Sequence, residues 1–344
     1  MPMARILFPG LAGPAATTPA RGTRSVRRTT TVDGHRPDGP LGDVVLLGRG
    51  RDLLTDDRGR PSIIGECEVR LRADFVVDQA VREISSMPPE PRLARLVGLP
   101  SRVGFRKAIR ELLPDRRDDG TLLSLLLYEI PIVTSLSRLA LLHNGEIDST
   151  PGSQHPANRR RATLAVCAGW APGGTMATRM GEGLRPMTTE GVAAPSLAAD
   201  DDPAGWHELP ALPPSGFRRR RRIDITSSAA GSVGGHELTV ESLFRDTYVA
   251  ADGLEVIMHE YSVTARLDAV SRTFLECDAV ADVLPAPECH RAAVSTERVV
   301  GHTVSELSNY VRAHMIDLGT CTHLNDHLRS LGDLSPLLDT LDRL

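Results

Sequence analysis

The chain has 344 residues, of which 41% are hydrophobic and 24% charged, the balance of a globular chain long enough for two domains of moderate size. A mean hydropathy of −0.15, with no long uncharged apolar run, argues against a membrane span. A net charge of −4 argues against a nucleic-acid partner, and five cysteines argue for reduced thiols in the cytoplasm over a secreted disulfide framework.

Residues 1–20 read as a disordered tail, because two prolines and two glycines break its short apolar stretch. Residues 21–143 read as a folded unit. Cys67–Ala73 alternates apolar and polar residues at the period of a half-buried strand. Phe105 to Leu113 predicts an amphipathic helix ended by Pro114, and Thr121 to Glu129 a more apolar one ended by Pro131. Strands followed by helices give an α+β order. Residues 144–216 have linker composition, with the acidic cluster Asp200-Asp201-Asp202. An island there, Ala165 to Trp170 followed by Gly173-Gly174-Thr175-Met176, predicts a docking segment over 165–180, with Cys167 packed instead of reactive.

Residues 217–344 form a second folded unit that echoes the first. Arg27-Arg28 before Asp33 is matched by Arg221-Arg222 before Asp224, Leu96-Val97-Gly98 by Val299-Val300-Gly301, and Gly120-Thr121 by Gly319-Thr320. The expectation is a duplicated domain packed as an internal pseudo-dimer, each copy a small antiparallel sheet covered by helices. The run Arg218 to Arg222 reads as a solvated strand edge with a partner in the acidic linker. An anionic small molecule such as an acyl thioester is a second use for these arginines.

The two halves differ where chemistry is wanted. Gly65-Glu66 in the first becomes His259-Glu260 in the second, Pro89-Glu90 becomes Pro287-Glu288-Cys289, and Leu122 with Ser124 becomes Cys321 with His323. His259, Cys289, Cys321 and His323 therefore make a candidate metal set, since zinc is held by cysteine sulfur and histidine nitrogen. Thr322 looks like a helix N-cap, which places Cys321 just outside the helix and His323 in its first turn. The positive helix end would favour a thiolate and a neutral imidazole. Glu260 would orient a ligand or shuttle a proton, and His323 is a ligand or general base. A metal-free thiol nucleophile at Cys321 is the competing reading. Cys277 is expected in the core, and His290, His302, His314 and His327 at the surface or an interface. Phosphate-loop, nucleophile-elbow, Cys-x-x-Cys and His-Glu-x-x-His motifs are missing.

The series Arg-Arg-x-Asp, His259-Glu260, Pro287-Glu288-Cys289, Val300-Gly301 and Cys321-Thr322-His323-Leu324 resembles the bacterial domain of unknown function 2889 family over most of residues 217–335. A diverged copy over 24–143 and the Cys-Ala-Gly-Trp island at 167–170 look like the tandem form. That resemblance implies a setting in catabolism of aromatic or steroid acyl compounds. More distantly, the order of strands, Cys289, Val300 to Leu307 and Cys321/His323 is similar to the U-type iron–sulfur scaffolds. The scaffold likeness implies Cys289 and Cys321 as ligands, with His259 and His323 beside them. The function expected is a metal-dependent lyase, hydratase or hydrolase acting on a small molecule. Its metal would be zinc, or alternatively iron or an iron–sulfur cluster. A non-enzymatic metal or sulfur carrier and a structural subunit are the alternatives, and further homo-oligomers are open.

Overall fold

The computed structural model describes residues 9–74, 77–116, 119–147, 167–182, 192–227 and 237–344. Its centre is one nine-stranded antiparallel sheet. The first half supplies β1 (Ser25–His35), β2 (Val44–Thr55), β3 (Pro61–Ala73) and β4 (Val81–Met87). The second supplies β6 (Phe217–Ser227), β7 (Glu237–Val249), β8 (Glu255–Asp268) and β9 (Phe274–Val283), and the two-residue β5 (Val192–Ala193) also pairs with β8. The order is β4-β3-β2-β1-β6-β7-β8, with β9 beyond β8, so two four-stranded meanders meet at the antiparallel β1–β6 pair. Two small sheets were expected. The structure joins them into one.

Helices cover one face. They are α1 (Phe105–Leu112) and α2 (Leu122–His143) from the first half, and α4 (Val304–His314), α5 (Thr322–Leu331) and α6 (Ser335–Leu341) from the second. The short α3 (Thr175–Gly181) belongs to the docked island, where Met176 is buried in the second-half core and Ala168 N–H donates to the Thr320 carbonyl. Residues 165–166 of that island lie outside the described residues. Val300-Gly301 precedes α4, with Thr303 and Glu306 closing a capping box.

The α2 helix runs through Pro131 and does not stop before it. A proline inside a helix removes one backbone donor, but thirteen α2 residues are buried in the core, and that burial outweighs the local penalty. Thr134 and Ser135 hydroxyls donate back to the carbonyls of Ile130 and Pro131. By length and hydropathy this helix could cross a membrane, contrary to the sequence reading, yet 61% of its most apolar window is buried inside the protein.

Chain segments cover the opposite face. Residues 9–20, expected to be disordered, are tied down: Ala12 and Gly13 N–H groups donate to Ala281 and Asp282, and Thr18 accepts from the buried Trp206 indole. The linker acids are also engaged, with Asp202 accepting two bonds of 2.8 Å from Arg21. His207 sits against both the Thr29 and Thr31 hydroxyls.

The five-arginine run is the central strand β6 and not a solvated edge, and all five side chains are buried. Strand alternation explains how this is possible. Arg219 and Arg221 point to the helix face, towards Glu129 and Asp326. Arg218, Arg220 and Arg222 point to the other, towards Asp33, Glu255 and Asp224. Each buried charge therefore has a carboxylate, without which burial would be prohibitive.

The β1–β6 seam is reciprocal. Arg27 Nε donates to Asp224 Oδ1 and Arg218 Nε to Asp33 Oδ1, both at 2.5 Å. Each guanidinium also donates to a proline carbonyl eight residues upstream, Pro19 for Arg27 at 2.7 Å and Pro210 for Arg218 at 2.6 Å.

Candidate metal centre and its supporting network

Asp246 on β7 and His259 on β8 are direct cross-strand partners, which puts both on the helix face of the sheet. The α5 helix then lowers His323 onto them. His259 and His323 stack with ring centroids 3.8 Å apart, and His259 Nδ1 lies 3.2 Å from Asp246 Oδ2. Ligand-capable atoms of Asp246, His259 and His323 all fall within 4.8 Å of one another. Asp246 and His259 are buried and His323 is half-buried, so the cluster has one side towards solvent.

Asp246 is fixed from behind. Arg219 donates to both its oxygens, Nε to Oδ1 at 2.7 Å and Nη2 to Oδ2 at 2.8 Å. Burial alone would raise this carboxyl, but the Arg219 guanidinium, helped by His259, holds it well below the usual carboxylate range. Arg219 Nη1 also donates to Glu129 and Asp326, each at 2.9 Å. Arg221 binds Glu129 and reaches His327 Nδ1 at 2.6 Å, and His327 Nε2 meets the Ser242 hydroxyl at 2.9 Å. Phe244 lies beneath, stacked on His323 at 6.4 Å with the Arg219 guanidinium 5.1 Å over its ring. Burial and the neighbouring His259 push the His323 imidazole well below its ordinary value, so it is neutral and competent as a ligand.

The four sequence candidates are not gathered at one point. His259 and His323 meet. Cys321 stands beside them, its Sγ 3.8 Å from His323 Nδ1. Cys321 is itself the N-cap of α5, and Thr322 is the first helical residue. Its thiol is not acidified as expected, because burial raises it by more than the nearby Leu324 N–H and Tyr261 lower it. Cys289 lies apart, its carbonyl accepting from Tyr261 and its thiol pushed up by burial and by the fields of Cys321 and Cys167. Glu260, one residue from His259, points to the opposite face. There it pairs with Arg245 and accepts from the Ala15 N–H at 2.5 Å. It cannot orient a ligand at the histidine pair from that side. Cys277 is in the core, whereas His327 is fully buried and not a surface histidine.

Asp246 was missed although a signal existed. Arg51-Asp52 in β2 and Arg245-Asp246 in β7 are the same dipeptide in the two halves. Arg28 grips Asp52 as Arg219 grips Asp246, Nε to Oδ1 at 2.7 Å and Nη2 to Oδ2 at 2.8 Å. Where the second half has His259, the first has Gly65, whose added Cβ would sit 3.7 Å from Asp52 Oδ2. A cavity of about 280 Å³ occupies that place, lined by Arg28, Asp52, Gly65, Cys67, Glu90 and Leu122 among others.

No curated protein matches this chain. A solved structure titled "Crystal structure of lipopolysaccharide binding protein" is 10% identical, covering 88% of this chain and 75% of that one, with a TM-score of 0.15. At that score the likeness carries no argument. Residues 217–335, the stretch that holds Asp246, His259, Cys289, Cys321 and His323, match the family described as "Protein of unknown function (DUF2889)".

Proposed function

We propose that the second half carries a divalent-metal centre held by Asp246, His259 and His323, in an enzyme acting on a small organic molecule. The observation that carries this is the convergence of those three donors on one half-open point. Two imidazoles and a carboxylate suit zinc or iron, and leave coordination positions free for water or substrate. A cation there would polarise a substrate oxygen or acidify a water, the chemistry of hydrolysis, hydration and elimination. The chain's own part is support: Arg219 fixes the Asp246 carboxylate, and Asp246 fixes the His259 ring. His323, at the open side, is placed to take or give a proton to a bound molecule when it is not a ligand.

Two finer readings belong with this one. We read the chain as a duplication whose first half has lost its donors. The palindromic strand order, the reciprocal seam and the paired Arg28–Asp52 and Arg219–Asp246 grips support that reading. The carrier alternative, with its likeness to U-type scaffolds, has one observation in its favour. Cys167, Cys289 and Cys321 are all buried close enough to Tyr261 to raise its hydroxyl. Cytoplasmic catabolism remains our proposal for the setting.

Metal per chain, measured on native protein and on His259→Ala, His323→Ala, Cys321→Ser and Cys289→Ser, tests the assignment. The reading expects near-stoichiometric metal in wild type and in Cys289→Ser, and loss in both histidine variants. Metal retained in His323→Ala, or none in wild type, defeats it. Loss only in the cysteine variants, with a visible cluster spectrum, moves the carrier ahead.

A further inference from the structure

Arg219 on β6, Asp246 on β7 and His259 on β8 are successive cross-strand partners, one row across the sheet. Arg28 on β1, Asp52 on β2 and Gly65 on β3 form the same row in the first half. In both, the ladder register shifts immediately after the aspartate, between Asp246 and Thr247 and between Asp52 and Leu53. The two rows therefore differ only in their last residue. An imidazole stands at 259, and at 65 there is no side chain.

The space of that ring stays open as the cavity of about 280 Å³ over Gly65. Sites for drug-sized molecules run from about 300 Å³ upwards, so this one suits a molecule of one or two rings. Its floor is the Arg28–Asp52 pair. Besides its two bonds to Asp52, Arg28 donates from Nη1 to the Gly120 carbonyl at 2.6 Å, so the guanidinium is held in place. Asp52 Oδ2 is the atom nearest a Cβ built on Gly65, at 3.7 Å, and it faces the cavity. It accepts one bond from Arg28 and has a second lone pair to offer. In the second half, His259 Nδ1 lies 3.2 Å from the equivalent oxygen of Asp246. Leu122 and Leu123 at the start of α2, Pro88 and Pro89 after β4, and Pro336 on α6 supply apolar walls. The remaining acids on the wall have cations of their own: Glu90 pairs with Arg92, and Glu66 is the cross-strand partner of Arg51. A floor whose charges cancel disfavours a charged guest, and flat apolar walls favour a ring.

We propose that the first-half cavity binds a small, neutral nitrogen heteroaromatic as a free ligand. Its ring N–H donates to Asp52 Oδ2, in the place where the second half has its own imidazole, and its faces rest between the leucines and the prolines. The site stands on the two matching rows and the cavity, whether or not a cation binds at His259 and His323.

Titration calorimetry on the full chain with indole, benzimidazole, 1-methylindole and benzoate tests this. Indole is the chief probe, because its N–H donates while its nitrogen has no free pair for a metal. Expected is one site for indole and for benzimidazole, and none for benzoate, whose carboxylate would face Asp52. Losing the N–H bond to a carboxylate should make 1-methylindole at least about tenfold weaker. Gly65→His puts a tethered imidazole in the cavity and should weaken indole at least about tenfold, whereas Gly65→Ala should keep it within about threefold. Leu123→Trp fills the same space from α2, so binding can still be read if the histidine variant has a lowered thermal midpoint. Undiminished indole binding in both filling variants, equal binding of 1-methylindole, or no binding of either N–H probe by wild type overturns the proposal.

Discussion

Replacing Glu129 by alanine should cost far more than removing an ordinary surface acid. Glu129 is 3% exposed and accepts from Arg219 Nη1 at 2.9 Å and from Arg221 Nε and Nη2 at 3.1 and 2.6 Å. Its loss leaves two guanidinium groups, fully inside the protein, with less than their charge in partners. Breaking a buried pair from one side costs about 3–5 kcal/mol. A chain of this length loses about 0.7 kcal/mol per kelvin of stability near its midpoint, so the midpoint should fall by about 4–7 °C. Glu129→Leu together with Arg221→Met should recover part of that loss, because two apolar side chains replace a pair that was expensive to desolvate. Calorimetry or circular dichroism on wild type, both single variants and the double variant supplies the cycle. If the singles each cost under about 0.5 kcal/mol, or their effects simply add, Glu129 is not the counterweight described here.

Gly34 on β1 has no room for a methyl group, since a Cβ would come within 2.2 Å of the Phe217 ring, so Gly34→Ala should destabilise by about 1–3 kcal/mol, read from a denaturant midpoint. Leu122 is buried beside the first-half cavity, and Leu122→Ala should cost about 2–5 kcal/mol while leaving any bound metal at full stoichiometry. A Cβ at Gly65 meets Asp52 and Leu122 only at ordinary van der Waals distance, so Gly65→His should shift the midpoint little; a large drop would mean the cavity is not available to an imidazole. Burial, with Arg51 and Arg49 nearby, holds the His207 pKa down to about 3. Between pH 6.5 and 3 the unfolded chain therefore takes a proton that the folded chain refuses, and stability falls with pH by up to about 1.4 kcal/mol per unit from this group. Asp282, raised to about 7 by burial, works in the opposite sense between about pH 4 and 7. His207→Gln should thus flatten the acid side of a stability–pH curve, and an unchanged slope would refute the assignment.

Part of both halves could be read from the residues. Strand alternation over Cys67–Ala73 placed β3, the helix start expected at Thr322 is one residue from the observed Cys321 N-cap of α5, and the His259/His323 pair followed from where the halves differ. What failed has one physical root, that charge was taken as a sign of solvent. Arg218 to Arg222 is the most polar stretch of the chain and the most central strand of the sheet, because its acids arrive from residues as distant as Asp33, Glu129 and Asp326. No local pattern reveals partners so far away. The same error hid Asp246 and made Glu260 look available. Glu260 and His259 are neighbours in sequence but project from opposite faces of β8, a distinction strand geometry makes and adjacency does not.

The β1–β6 seam bears on the order in which the chain can mature during synthesis. β1 ends at residue 35 and its partner begins at 217, so at about 5–20 residues per second an edge strand waits on the order of 10–40 s for its mate. An unpaired edge of that length is an invitation to other nascent chains. Here the waiting edge carries Arg27 and Asp33 without their seam partners until Asp224 and Arg218 arrive, so a strand that lacks both complements would bury two unmatched charges by joining it. The ion pairs that hold the finished sheet together would first act as a filter on which strand can add to it.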